Sequence, residues 1–182
     1  MLLGRKDLSF SFSGLKTAAA RIAEKLTTDE ERRDLADTVI SELVRHSVAE
    51  EMYVYPAMRK HLPDGDEAVE HDVKEHKELE KTMKKLEGVS ADDAEFTQLL
   101  GELETILRDH IQDEESDQFP GLRAQVPRPE LVEIAQKVEA AKKIAPTRAH
   151  PLAPNNQVFH KLVGPGVGLV DRLRDKLTGR NA

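Results

Sequence analysis

Two short runs of the chain carry an imidazole and a carboxylate four residues apart, the side chains best suited to chemistry. His46-Ser47-Val48-Ala49-Glu50-Glu51 is followed by Tyr55-Pro56, Arg59 and Pro63. It recurs as His110-Ile111-Gln112-Asp113-Glu114-Glu115, followed by Phe119-Pro120, Arg123 and Pro127, and each pair is separated by 64 residues. A single His-x-x-x-Glu arises easily by chance in a chain with 7 His and 34 acidic residues. Seven matched positions at one offset imply a duplicated helical unit. On a helix the His and Glu of each copy lie about 40° apart around the axis, so both point the same way and can share one ion. The chain has no Cys, so a metal here would be held by imidazole and carboxylate alone, which excludes zinc fingers and iron-sulfur clusters.

Positioning such groups requires helices, and the composition supplies them. Of 182 residues 34% are charged and 4% aromatic, with no Trp. Leu, Ala, Glu and Lys recur at helical spacing, which predicts an all-α fold of one domain with a core, plus a tail. A net charge of −7 opposes phosphate backbones, and no basic stripe with interleaved aromatics is present, so nucleic acid is not an expected partner. The first residues carry charges where a leader needs an apolar run, and no stretch is apolar enough to cross a bilayer. A cytoplasmic protein without a membrane contact is expected.

A first helix is expected from Ser11 or Ser13 to Leu26, with Leu15, Ala19 and Ile22 on one face. A second opens at the capping box Thr28-x-x-Glu31 and runs to about His61, kinked at Pro56 because proline removes the bond to the Met52 carbonyl. A third follows Asp64-Gly65-Asp66, carries Val69, Val73, His76, Leu79, Met83 and Leu86, and is capped by Gly88. A fourth opens at Ser90, carries Leu99, Leu103, Leu107, His110 and Glu114, and is kinked at Pro120. Short loops make these an up-down-up-down four-helix bundle over residues 1–127. Residues 128–145 form an additional helix packed on the bundle through Leu131, Ile134, Val138 and Ala141. Residues 146–182 read as a Pro-rich linker and a short amphipathic docking segment. Its apolar side is Leu169, Val170, Leu173 and Leu177, and its exposed charges are Asp171, Arg172, Arg174, Asp175 and Lys176.

The chemistry is betrayed by where the polar residues fall. The inward stripe Leu35, Val39, Leu43 continues into His46 and Glu50, and Leu99, Leu103, Leu107 continue into His110 and Glu114. His76 lies between Val73 and Leu79. Burying an uncompensated carboxylate costs several kcal/mol, on the order given by ion desolvation. Either each Glu pairs with a His of the facing helix, or the kinks turn these faces to solvent, or a cation lies between them. Repetition in register, with a third inward His, favours the cation.

This constellation resembles the hemerythrin-like family, in particular the bacterial HHE cation-binding proteins. Their pattern is a His on the first helix, His-x-x-x-Glu on the second, a His on the third and His-x-x-x-Glu on the fourth. The likeness runs from about residue 11 to 125, and the proline sites and the Pro-Thr-Arg-Ala-His-Pro tail look like an actinobacterial subset of that family. It implies metal ligation by His46, Glu50, His76, His110 and Glu114, with Glu50 and Glu114 as bridging carboxylates of a non-haem di-iron site. Ferritin-like centres differ, using Glu-x-x-His on two helices. The chain departs from the pattern on the first helix, where the 64-residue offset from His76 falls on Phe12. The expected cofactor is therefore iron in a di-iron or an incomplete di-iron site, although the same donors accept zinc, manganese or nickel. Asp72, four residues before His76 on the same face, is a further candidate donor, and His71, five residues before it, fits the spacing less well.

Glu51 and Glu115 are candidates either to accept a bond from a ligand imidazole or to remain solvated. Tyr55 and Phe119 are expected in the core beside the prolines, and His61, His150 and His160 outside the site. Three functions are compatible with these residues. One is an iron protein binding O2, peroxide or NO, with peroxide turnover as an additional activity. Another is a metal sensor or storage module without turnover. The last is a metal-free scaffold closed by Phe12. The expected partners are that small ligand and a second copy of the chain.

Overall fold

The computed structural model describes residues 28–152 and 164–180. The expected first helix, with Phe12, lies outside the described residues. Seven α-helices and two π-helical turns make up the rest, with no strand among the described residues. Helix α1, Asp29–Ala49, opens as its capping box predicts. Thr28 Oγ1 accepts from the Glu31 N–H at 3.2 Å, and Glu31 Oε2 accepts from the Thr28 N–H at 3.1 Å. Helix α2 is Tyr55–His61, α3 is Gly65–Gly88 and α4 is Ala94–Asp113. Helix α5 is Phe119–Gln125, α6 is Arg128–Ile144 and α7 is Gly164–Thr178. The start expected at Ser90 falls instead at Asp93, whose Oδ1 accepts from the Glu95 N–H at 2.9 Å while Ser90 closes a preceding turn. Gly88 ends α3 without adopting a left-handed conformation.

The two proline kinks take a more specific form than the sequence predicts. One π-helical turn precedes each proline, Glu50–Val54 before Pro56 and Glu114–Gln118 before Pro120. In each, the next residue, Tyr55 or Phe119, donates its N–H to the carbonyl of the motif glutamate five residues back. Proline cannot donate and its ring collides with the preceding turn, so a widened turn absorbs the misfit and the helix resumes with proline in its first turn. Both widened turns begin at a motif glutamate.

Packing follows the apolar stripes. Helix α3 lies along α4, α2 packs on α3, and α6 covers both α1 and the first π turn. The core is built on Ile40, Leu43, Met58, Leu79, Met83, Leu86, Phe96, Leu103 and Leu122, all buried. Arg32 and Arg33 place their guanidinium groups over the Phe96 ring at 5.3 and 5.0 Å. Gly65 lets the start of α3 press against α2, since a Cβ there would collide with the Met58 carbonyl. The all-α bundle with a further C-terminal helix is the fold that the periodicity predicts.

The tail departs from the sequence reading. Residues 146–152 are a polar clasp in place of a plain linker, and Asp171 and Asp175, expected as exposed charges, are buried. Thr147 Oγ1 donates to Asp175 Oδ2 at 2.5 Å, Arg148 pairs with Asp175 at 2.6 Å, and His150 Nε2 lies 2.9 Å from Asp171 Oδ2. Leu169, Val170, Leu173 and Leu177 instead face solvent, each more than half exposed. The carboxylates find donors in the Pro-Thr-Arg-Ala-His segment, and that decides which side of α7 docks. No helix among the described residues is long and apolar enough to cross a membrane.

Candidate metal centre

The end of α1 delivers His46, and the first π turn begins with Glu50. The end of α4 delivers His110, and the second π turn begins with Glu114. All four are buried, and they bring one donor atom each to within 4.8 Å of one another. His46 Nε2 lies 2.8 Å from Glu50 Oε1, and His110 Nε2 lies 3.7 Å from Glu114 Oε2. His76, from the middle of α3, stands beside this quartet. Its Nε2 is 3.2 Å from His110 Nε2 and 3.5 Å from Glu50 Oε2.

Two of the imidazoles are held from behind. His76 Nδ1 lies 3.1 Å from Glu51 Oε1, and His110 Nδ1 lies 2.9 Å from Glu75 Oε2. Both rings therefore turn Nε2 toward the quartet while a carboxylate fixes the other nitrogen, the arrangement that orients and makes more basic a histidine bound to metal. The Tyr55 hydroxyl reaches the same ring edge, 3.1 Å from His76 Nε2.

The electrostatics test whether a cation fits. Burial alone raises Glu50, but the charges and hydrogen bonds of His46 and His76 outweigh it and hold the carboxyl below the usual range. Burial lowers His76, yet its bonds to Glu50 and Glu51 prevail and push it up to about 10. His46 is lowered by burial despite Glu50. Glu114 is raised well above the usual carboxylate range by burial and then by the charges of Glu50 and Asp72. Both oxygens of Glu114 are fully buried and accept no hydrogen bond, and the nearest His76 contact to Glu50 Oε2 is a long 3.5 Å. Burial thus works against a second negative charge at Glu114 beside Glu50, and a cation between the two carboxyls would offset that cost. Two imidazoles and two carboxylates converging on acceptor oxygens without donors are a donor set that fits a first-row divalent metal.

Of the residues picked from sequence, His46, Glu50, His110 and Glu114 are thus gathered, and His76 adjoins them. Asp72 is fully buried, accepts from Gln118 Nε2 at 2.9 Å, and brings an oxygen close to Glu75 and His110. Glu51 is buried against His76, while Glu115 is exposed. The sequence did not single out Glu75 or the Tyr55 hydroxyl. Glu75 has no acidic counterpart at the 64-residue offset, where Ser11 stands, so the repeat could not flag it. Tyr55 pairs with Phe119 in the repeat, which masks its polar end.

A buried imidazole-carboxylate cluster inside an all-helical bundle defines a cation-binding protein. The chain belongs to the hemerythrin HHE cation binding domain family, whose pattern matches residues 13–122. It is 36% identical over 137 residues to a hemerythrin-like protein of Schizosaccharomyces pombe, a match spanning 75% of this chain and 68% of that one. A stretch of 44 residues is 73% identical to part of a tRNA N6-adenosine threonylcarbamoyltransferase of Caulobacter vibrioides, covering 24% of this chain and 12% of that enzyme. Among solved structures, a hemerythrin HHE cation binding domain-containing protein from Mycobacterium kansasii superposes with a TM-score of 0.61 over 71% of this chain and 78% of that one. At 23% identity that likeness concerns the fold.

Proposed function

We propose that the chain is a non-haem iron protein of the di-iron type, whose centre binds or responds to O2, peroxide or NO. The observation that carries the reading is Glu114, a fully buried carboxylate with no hydrogen-bond donor on either oxygen, facing Glu50 between two histidines. His46, Glu50, His110 and Glu114 would hold the metal, with His76 as the adjoining imidazole. Bound iron would supply an open coordination position and redox chemistry for a small ligand. The chain's own residues shape that position. Glu51 and Glu75 keep His76 and His110 turned inward, and the buried Tyr55 hydroxyl offers a hydrogen-bond donor beside His76. Burial of the whole cluster keeps bulk water away from it.

Elemental analysis of protein purified without added metal tests the reading, together with His46→Ala, His110→Ala and His150→Ala. Iron should be found in the parent and in His150→Ala and fall in the other two. Equal metal in all three variants would sink the assignment. Removing the metal should also lower Tm, because an ion bound only by the folded state stabilises it by mass action.

A further inference from the structure

The quartet is sealed, so an ion that occupies it must be handed in from outside. Two further groups of metal-capable side chains form, through shared residues, a line of donors from the quartet to exposed side chains. At the surface His71, Glu75 and Asp113 bring one donor atom each within 4.8 Å of one another. His71 Nε2 is 3.3 Å from Glu75 Oε1 and 3.4 Å from Asp113 Oδ2. Beneath them Asp72, Glu75 and His110 form a second such group. Glu75 belongs to the outer and the middle group, and His110 to the middle group and the quartet.

Burial rises in step along this line. The side chains of His71 and Asp113 are 57% and 50% exposed, that of Glu75 is 14% exposed, and Asp72, His110 and Glu114 are fully buried. The middle group holds an independent sign of a ligand: Asp72 Oδ2 is fully buried and accepts no hydrogen bond, while its other oxygen is used by Gln118. The two ring nitrogens of His110 face opposite ways, Nδ1 to Glu75 at 2.9 Å and Nε2 to Glu114 at 3.7 Å. None of the outer residues repeats in the other copy, where the 64-residue offset places Asp7, Ser11 and Ala49 opposite His71, Glu75 and Asp113. A path of this kind is therefore written into one copy of the repeat.

We infer that His71, Glu75 and Asp113 form the entry site through which a divalent cation reaches the buried centre, with Glu75 and Asp72 passing it inward to His110. The inference rests on the metal reading of the quartet and adds the route by which it fills. A hydrated ion is first captured where its shell can stay largely intact, between an imidazole and two carboxylates at the surface. It then exchanges water for Glu75 and Asp72 oxygens before meeting ligands that are wholly desolvated. Each step replaces one set of oxygen and nitrogen donors by another, so no bare ion crosses apolar packing.

The test is the rate of loading. Metal-free full-length protein is mixed with Co2+, and its visible absorption is followed by stopped flow. Cobalt per chain is measured at the end. His71→Gln combined with Asp113→Asn should slow uptake about tenfold, the lower end of what focusing charges do for association rates, with final cobalt per chain unchanged. Glu78→Gln, an exposed acid elsewhere on α3, should load at the parent rate. Parent-rate loading by the double variant would overturn the entry site, as would equal slowing by Glu78→Gln, which would leave only a general charge effect. If the parent takes up no cobalt that His46→Ala fails to bind, the metal reading of the quartet itself falls, and that result is distinct from either of the others.

Discussion

The two copies of the repeat place the same pair of side chains at the same helical positions and push their carboxyls in opposite directions. In the first copy Glu50 is flanked by His46 and His76 and stays ionised in spite of its burial. In the second copy Glu114 is pushed well above the usual carboxylate range by burial and by the charges of Glu50 and Asp72, and its oxygens accept no hydrogen bond. The neighbouring acids differ as well. Glu51 is enclosed because α6 lies over the first π turn and because His76 receives it. Glu115 is exposed, and the position that mirrors His76 holds Phe12, which offers no nitrogen. Duplication therefore fixes geometry, while charge state is set by what each copy happens to face.

The sharpest way to break this comparison is to neutralise the two motif glutamates in metal-free protein. Glu50→Gln removes the countercharge of a buried imidazolium and should destabilise the fold by about 3 kcal/mol, the scale of a broken buried ion pair. Glu114→Gln replaces a carboxyl whose charged form is disfavoured by burial and by Glu50, and should stay within about 1 kcal/mol of the parent. Chemical denaturation of both variants measures the difference, and equal losses would show that the two carboxyls share one protonation state. Both variants should bind less metal.

A smaller effect separates the adjacent acids. Glu51→Gln weakens a charged hydrogen bond to His76 and should cost roughly 1.5 to 3 kcal/mol. Glu115→Gln, at an exposed position, should change stability by no more than about 0.5 kcal/mol. Comparable losses in the two would mean that the asymmetry around His76 does not exist in solution.

The smallest effect concerns the tail, which is held by charge where the bundle is held by packing. Burial raises Asp171, but the bond and charge of His150 and the N–H groups of Thr147 and Arg148 outweigh it and hold the carboxyl below its ordinary 3.8. A carboxyl lowered in the folded state contributes stability at every pH above its ordinary value, and the contribution is lost as pH falls through the lower folded value. Hydrogen exchange of α7 amides should therefore quicken, relative to those of α3, only below pH 3.8. In His150→Ala the change should begin closer to that ordinary value. An α7 whose protection falls in parallel with α3 would show that docking does not depend on Asp171.

Much of this is legible in the sequence alone. Helical periodicity, the capping box at Thr28 and the 64-residue register are local or one-dimensional signals, so they point to the bundle, the additional helix and the buried cluster of His46, Glu50, His110 and Glu114. They also placed a break at each proline, because the loss of an N–H is a property of the residue itself. The form of the break was not legible, since a π turn and a plain kink answer the same misfit and packing selects between them.

Only the tertiary structure decided which carboxylates turn inward. Glu51 and Glu115 are equivalent by register, yet Glu51 is buried where α6 packs on its π turn and Glu115 is exposed. Glu75 joins His110 across 35 positions of chain, and His71 meets Asp113 between two helices, pairings for which no periodicity exists. The tail shows the same limit: Leu169, Leu173 and Leu177 mark an apolar face, but the donors of Thr147, Arg148 and His150 are strong enough to dock the acidic face instead. A sequence states which atoms are available and on which side of their own helix they stand. Which partner each one meets is fixed by the angles at which helices cross, and those are set by the whole core at once.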